Sequence, residues 1–204
     1  DHVYTSDKVP YGPFGFLLNK KPNFTSMNGL SFDLAIFYAD SRESEDEVVL
    51  FMELVEMLCR NSPRTPRIWA SVCDLEGEDR TYLEAVEYGI KNSKYYFLYI
   101  DQSFAHDKWA NFQRDQCLHM YFQETKVIVP VETIKNYTMP FSLRVFKPLK
   151  PWRLINNIDG LGMRTFLENP KIYLNVCDQH YLGIMMTVFA KICAGDPRPL
   201  FLLE

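Results

Sequence analysis

The chain has 204 residues and a formal charge of −4, with 22 basic side chains against 26 acidic ones. Hydrophobic residues make up 47% and aromatics 15%, so a disordered chain is excluded and a buried core is expected. A chain of this length buries roughly 70% of its unfolded surface and folds without staples, and its mild acidity excludes attachment to nucleic acid by charge.

The five cysteines (59, 73, 117, 177 and 193) are odd in number and include no CxxC pair. That spacing fits neither a disulfide framework nor a zinc site, and it predicts ordinary thiols in a reducing, cytoplasmic setting with no bound metal. The chain opens Asp1-His2-Val3 rather than with Met, which predicts a piece of a longer protein. Its longest apolar runs are far short of a membrane span.

Residues 1–30 are rich in Pro, Gly, Tyr and Lys and carry no sustained period; they read as an arm or loop. The core begins at Phe32-Asp33-Leu34-Ala35-Ile36-Phe37-Tyr38, a nearly continuous apolar run that predicts a strand buried on both faces. Asp40 and Ser41 follow. Ser44-x-x-Glu47 reads as a capping box, and Val48, Met52, Val55 and Cys59 give a helical stripe that ends near Asn61 and Pro63. Arg67 to Asp74 is the second predicted strand. A polar loop, Leu75 to Arg80, leads to a second capping box, Thr81-x-x-Glu84, and to a helix whose apolar face is Leu83, Val86 and Ile90.

Tyr95 to Ile100 is the third predicted strand. Trp109, Phe112, Met120 and Tyr121 fall on a third helix, and Val127 to Val131 is the fourth strand, with Pro130 near its end. Beyond residue 132 prolines punctuate the pattern, and 164–168 and 171–176 compete for a fifth strand. Tyr181, Met185, Val188 and Ile192 mark a closing helix that stops at Gly195. Alternating strands and helices predict an α/β fold: a flavodoxin-like, doubly wound sandwich with a central parallel sheet of about five strands and helices on both faces. The expected organisation is an arm at 1–30, a domain at 31–195 and a tail at 196–204.

Ligand sites in such a sheet lie at the carboxyl ends of the strands. Here that rim is acidic: Asp40 and Ser41, Asp74 to Asp79, Asp101 to Ser103, and Glu132. It holds no phosphate-cradling glycine loop. Two readings stand: a pocket for a cation or cofactor, or carboxylates and hydroxyls that cap the helices they precede. Asp40, Asp101 and Lys147-Pro148 also fit, loosely, the layout of a phosphoacceptor module. The four histidines (2, 106, 119 and 180) form no legible catalytic set.

These residues resemble the Toll/interleukin-1 receptor (TIR) domain. Phe32 to Ser41 resembles its first box. Cys73-Asp74-Leu75-Glu76-Gly77-Glu78 falls where the family has its second box and BB loop, with Cys73 in place of the usual Arg and Glu76 in place of Pro. Ser103-Phe104 to Trp109 resembles its serine-phenylalanine and tryptophan turn, and Thr165 to Pro170 a late family stretch. The third box, usually Phe-Trp, is matched only by Tyr181-Leu182. The order and spacing of these segments over residues 31–195 carry the likeness, and Asp107-Lys108-Trp109-Ala110-Asn111-Phe112-Gln113 is most similar to adaptors of the TRIF and TRAM type.

The resemblance implies two possible activities. Enzymatic TIR domains cleave NAD⁺ with a glutamate four residues after the tryptophan; here that position is Gln113, and an amide cannot act as the anionic carboxylate. Asp115 is roughly 200° around the helix from it, and Glu124 lies at the helix end. The expectation is therefore a cytoplasmic, non-enzymatic adaptor domain without cofactor, acting in innate immune signalling downstream of a receptor. Its partners would be other TIR domains, itself included, through a weak, concentration-dependent homo-oligomer. The expected contact loop is Asp74, Leu75, Glu76, Gly77 and Glu78, with Phe32, Asp33, Trp109 and Phe112 as structural support. The alternative is an NAD⁺ nucleosidase using a displaced acid, Asp115 or Glu124.

Overall fold

The computed structural model describes residues 32–71 and 81–195. Four parallel strands form its sheet: β1 (Phe32–Phe37), β2 (Ile68–Ala70), β3 (Ser93–Ile100) and β4 (Val127–Glu132), in the order β2-β1-β3-β4. The strands alternate with helices α1 (Arg42–Leu58), α2 (Tyr82–Lys91) and α3 (Lys108–Gln123); α4 (Met163–Glu168), α5 (Pro170–Tyr173) and α6 (Gln179–Ala194) follow β4. This is the expected doubly wound architecture, whose strand order reverses between β1 and β3.

Period-two alternation divides the strand side chains between two cores. Leu34, Ile36, Tyr95, Phe97, Tyr99, Val129 and Val131 pack with α1, α4 and α6. Ala35, Phe37, Tyr96, Leu98, Ile100 and Ile128 pack with α2 and α3. The predicted stripes Val48-Met52-Val55-Cys59 and Tyr181-Met185-Val188-Ile192 are both buried. Gly195 ends α6 in the left-handed region, at φ 67°, where a Cβ is penalised. Leu83 departs from its predicted stripe: it is 57% exposed, while Val86 and Ile90 are buried.

The sheet has four strands among the described residues, not about five. Neither candidate for the fifth is a strand: 164–168 lies within α4, and 171–176 is the end of α5 followed by a turn. In 164–168, Phe166 and Leu167 are buried side by side, which a strand cannot do with one covered face, and Arg164 Nε reaches Glu168 Oε1 at 2.8 Å across one helical turn. In 171–176, Pro170 opens a helical turn, and Ile172 and Val176 are exposed. The outer edge of β4 instead makes a single parallel bridge, Val131 to Leu149. Leu149 N–H donates to Pro130 O and Glu132 N–H to Leu149 O, both at 2.8 Å. Pro130 thus places its missing N–H on the outer edge, where no sheet bond is lost.

The first helix start also differs. The N-cap is Ser41, whose hydroxyl accepts Ser44 N–H at 3.1 Å; Ser44 is buried inside the first turn. Ser44 therefore caps nothing, and its hydroxyl donates to Asp101 across the end of the sheet. The second capping box forms as expected: Thr81 N–H donates to Glu84 Oε2 at 2.8 Å, and Glu84 N–H to Thr81 Oγ1 at 3.3 Å.

Candidate functional site

Asp74, Leu75, Glu76, Gly77 and Glu78, the expected contact loop, lie outside the described residues, as does Cys73. The chain resumes at Thr81, and the surface next to it is described. The Tyr82 ring lies 4.6 Å from that of Trp109, and Trp109 stacks on Phe112 at 5.4 Å. Leu83 and Phe112 are exposed. Tyr82, Trp109 and Phe112 thus form one aromatic ridge joining the starts of α2 and α3, with the exposed Leu83 next to Tyr82 in the chain.

Asp107 holds that ridge in place. It caps α3, with its Oδ2 accepting Ala110 N–H at 2.7 Å, and the same oxygen accepts Asp40 N–H at 3.2 Å. The carboxylate therefore fastens the β1 exit to the start of α3 and complements the helix dipole.

Gln113 lies one turn further along α3 and is 1% exposed. Its side-chain amide donates to Tyr38 O at 2.9 Å and to Trp109 O at 3.2 Å. The Tyr38 hydroxyl accepts from Ser71 at 2.8 Å. The acids proposed as substitutes for Gln113 lie elsewhere. The Asp115 side chain is 61% exposed and paired with Arg114 at 3.0 Å; that of Glu124, past the end of α3, is 54% exposed and 3.6 Å from Lys126.

The acidic rim is largely built into the backbone. Asp101 Oδ1 accepts Ser103 N–H at 3.0 Å and Phe104 N–H at 3.1 Å, while Oδ2 accepts the Ser44 hydroxyl. Three donors on one carboxylate favour the capping reading for Asp101. Glu132 is buried at the end of β4; burial raises its pKa, and Lys150 opposes the rise. Burial first, and then Asp101, likewise raise the pKa of Glu47, against the hydrogen bond from Tyr99. Among the described residues no three His, Cys, Asp or Glu side chains come together as a metal site, and no helix is long and apolar enough to cross a membrane.

Phe32 and Asp33 stand at the opposite, amino end of the sheet. Phe32 meets Tyr88 edge-on at 6.0 Å. Asp33 receives a two-pronged contact from Arg64, at 2.6 and 2.8 Å, and the Arg67 backbone N–H at 2.7 Å. Burial raises the Asp33 pKa, but the Arg64 and Arg67 hydrogen bonds together outweigh it and hold the carboxyl below its ordinary value. The pair closes the floor of the domain, far from the rim. Burial likewise favours the protonated thiol at two of the described cysteines, pushing Cys117 well up and Cys193 to about 11.

Sequence reasoning missed Asp107 as a tie between two elements and Leu83 as an exposed group. The signal for Asp107 was present, since an Asp directly before the tryptophan turn is a strong N-cap. No family model matches the sequence, and no curated protein matches it. Among solved structures, the TIR domain of the Toll-related receptor TRR-2 from Hydra magnipapillata is similar at 16% identity and a TM-score of 0.46, covering 69% of this chain and 98% of that one. The TIR domains of the activated Roq1 resistosome, which directly recognises the pathogen effector XopQ, are similar at 13% identity and a TM-score of 0.35, covering 80% of this chain and 84% of theirs.

Proposed function

We propose that this chain is a TIR-type domain that signals without catalysis, by assembling with other TIR domains in the cytoplasm as an adaptor in innate immunity. The observation that carries this reading is Gln113. The position that the resembled enzymes give to a glutamate is here a neutral amide, withdrawn from solvent and bonded to two backbone carbonyls. Its two N–H donors are suited to those acceptors. A carboxylate there would face both carbonyls unpaired, so the site is fitted to the amide rather than to an anion.

The ridge of Tyr82, Trp109, Phe112 and Leu83 supports assembly as the mode of action. It offers apolar anchors, and the charges of residues 74–78, a few positions earlier in the chain, would set register and partner choice. A patch that meets a different patch on the next copy can propagate as an open filament, and weak single contacts then respond steeply to concentration.

The test is to follow NAD⁺ and light scattering together in one concentrated sample of the domain. Scattering that grows with concentration while NAD⁺ stays constant supports the scaffold. NAD⁺ loss that disappears on replacing Asp115 or Glu124 overturns it.

A further inference from the structure

A second feature stands apart from the ridge. On the α1 side of the carboxyl rim a cleft of about 700 Å³ opens beside the ends of β3 and β4. That volume falls within the range of small-molecule sites, and the cleft flanks the reversal of strand order where such folds bind ligands. Glu43 and Glu47 of α1 form one wall, with Asp101 at its base. The segment that follows β4 forms the other, through Lys135, Trp152 and Asn156, and Ile155, Ile158 and Leu161 line it with apolar surface.

The charges of this lining are unequal and differently engaged. Asp101 is consumed by Ser44, Ser103 and Phe104. Lys135 is held on the far wall, 2.6 Å from Asn156 Oδ1 and 5.9 Å over the Trp152 ring. Glu47 is half-buried; among the described residues the Tyr99 hydroxyl, at 2.9 Å, supplies the one hydrogen bond its carboxylate receives, on Oε1. Arg164 of α4 also acts on this carboxylate through charge and opposes the rise that burial causes in its pKa. Glu43 and Asp159 add two further negative charges against the single Lys135.

We propose that this cleft binds a small organic cation: a primary amine whose ammonium meets Glu47 and whose apolar body lies against Ile155, Ile158 and the Trp152 ring. A wall with surplus carboxylates attracts cationic ligands and repels anions such as nucleotides. A charged hydrogen bond to a half-buried carboxylate is among the stronger polar contacts available. The inference rests on the cleft and not on the assembly reading, so either can fail without the other.

Calorimetric titration of the domain with phenethylamine, and with phenylacetate as its anionic counterpart, tests the assignment. Phenethylamine is expected to bind and phenylacetate not. Glu47→Gln keeps an oxygen to accept from Tyr99, so the fold is retained, and is expected to weaken the amine by about tenfold. Lys135→Met, on an exposed side chain, removes the competing cation and is expected to tighten it. Equal binding of phenylacetate, no heat from millimolar amine, or an affinity indifferent to Glu47→Gln overturns the proposal. A blocked arginine tripeptide that binds about tenfold tighter than the amine also overturns it, by assigning the cleft to a protein side chain.

Discussion

The side-chain amide of Gln113 on α3 donates to the backbone carbonyl of Tyr38, just past the end of β1, at 2.9 Å. The contact spans 75 residues of chain and ties the first strand to the third crossover helix at the rim. It is inaccessible to solvent, so its role in the folded state is structural whatever else the domain does.

Placing a glutamate at this position is therefore expected to harm the fold without creating an enzyme. Gln113→Glu replaces a two-donor amide by an acceptor facing the carbonyls of Tyr38 and Trp109. Loss of about 2–4 kcal/mol is expected from the unsatisfied, desolvated carboxylate. Urea unfolding measures the loss, and the NAD⁺ assay is expected to stay at baseline. A stable, NAD⁺-cleaving variant would contradict both the packing argument and the proposed function.

Asp33 and Glu47 make opposite contributions to pH dependence. Asp33 binds its proton less tightly folded than unfolded, so its stabilisation is full above the ordinary carboxylate range near pH 4 and is lost as pH falls through the lowered value. Asp33→Asn is expected to cost about 1–3 kcal/mol at neutral pH, as charged hydrogen bonds are lost, and almost nothing in strong acid. Glu47 holds its proton more tightly folded, chiefly through burial; its contribution declines as pH rises through the ordinary range to the raised value. Glu47→Gln is expected to flatten that decline. Unfolding curves from pH 3 to pH 7 separate the two by the sign of their slopes.

Gly89 packs against Trp69 with no room for a side chain. A Cβ there would fall 2.4 Å from Trp69 Cε3, inside the contact distance of two carbons. Gly89→Ala would gain about 1 kcal/mol of helix propensity at an open helix position. Here the ring is buried and fixed between β2 and α2, so overpacking dominates and a net loss of about 1–3 kcal/mol is expected. Thermal melting gives the sign, and a change in tryptophan fluorescence reports the displaced ring.

What the sequence reveals and conceals follows the range of the interactions. Thr81 and Glu84 cap each other three residues apart, and Val48-Met52-Val55-Cys59 repeats within one helix; both are local and both are legible. Ser41 and Ser44 are equally good caps by composition. The choice falls to Ser41 because Ser44 is taken by Asp101, 57 residues away. The supposed fifth strand fails for a related reason. A short apolar run suits strand or helix alike, and only the covered face shared by Phe166 and Leu167 decides. Gln113 stood out against a family pattern, but its carbonyl partners could be found only in three dimensions.

The exposed ridge gives the most direct test of assembly. Leu83 projects from the first turn of α2 and Phe112 leans on Trp109, so neither is needed to fill a core. Leu83→Asp is expected to change stability by no more than about 0.5 kcal/mol, the usual range for exposed positions. If the ridge anchors copy-to-copy contact, the same change places a charge in the middle of an apolar contact, and the concentration at which scattering begins rises several-fold. Phe112→Ser should act in the same direction, with a somewhat larger stability cost from the lost stack on Trp109. Scattering onset unchanged in both variants, with melting temperatures near the parent's, would remove the ridge from the assembly surface. It would leave the 74–78 segment as the place to look, where Gly77→Val and Leu75→Asp pose the same question.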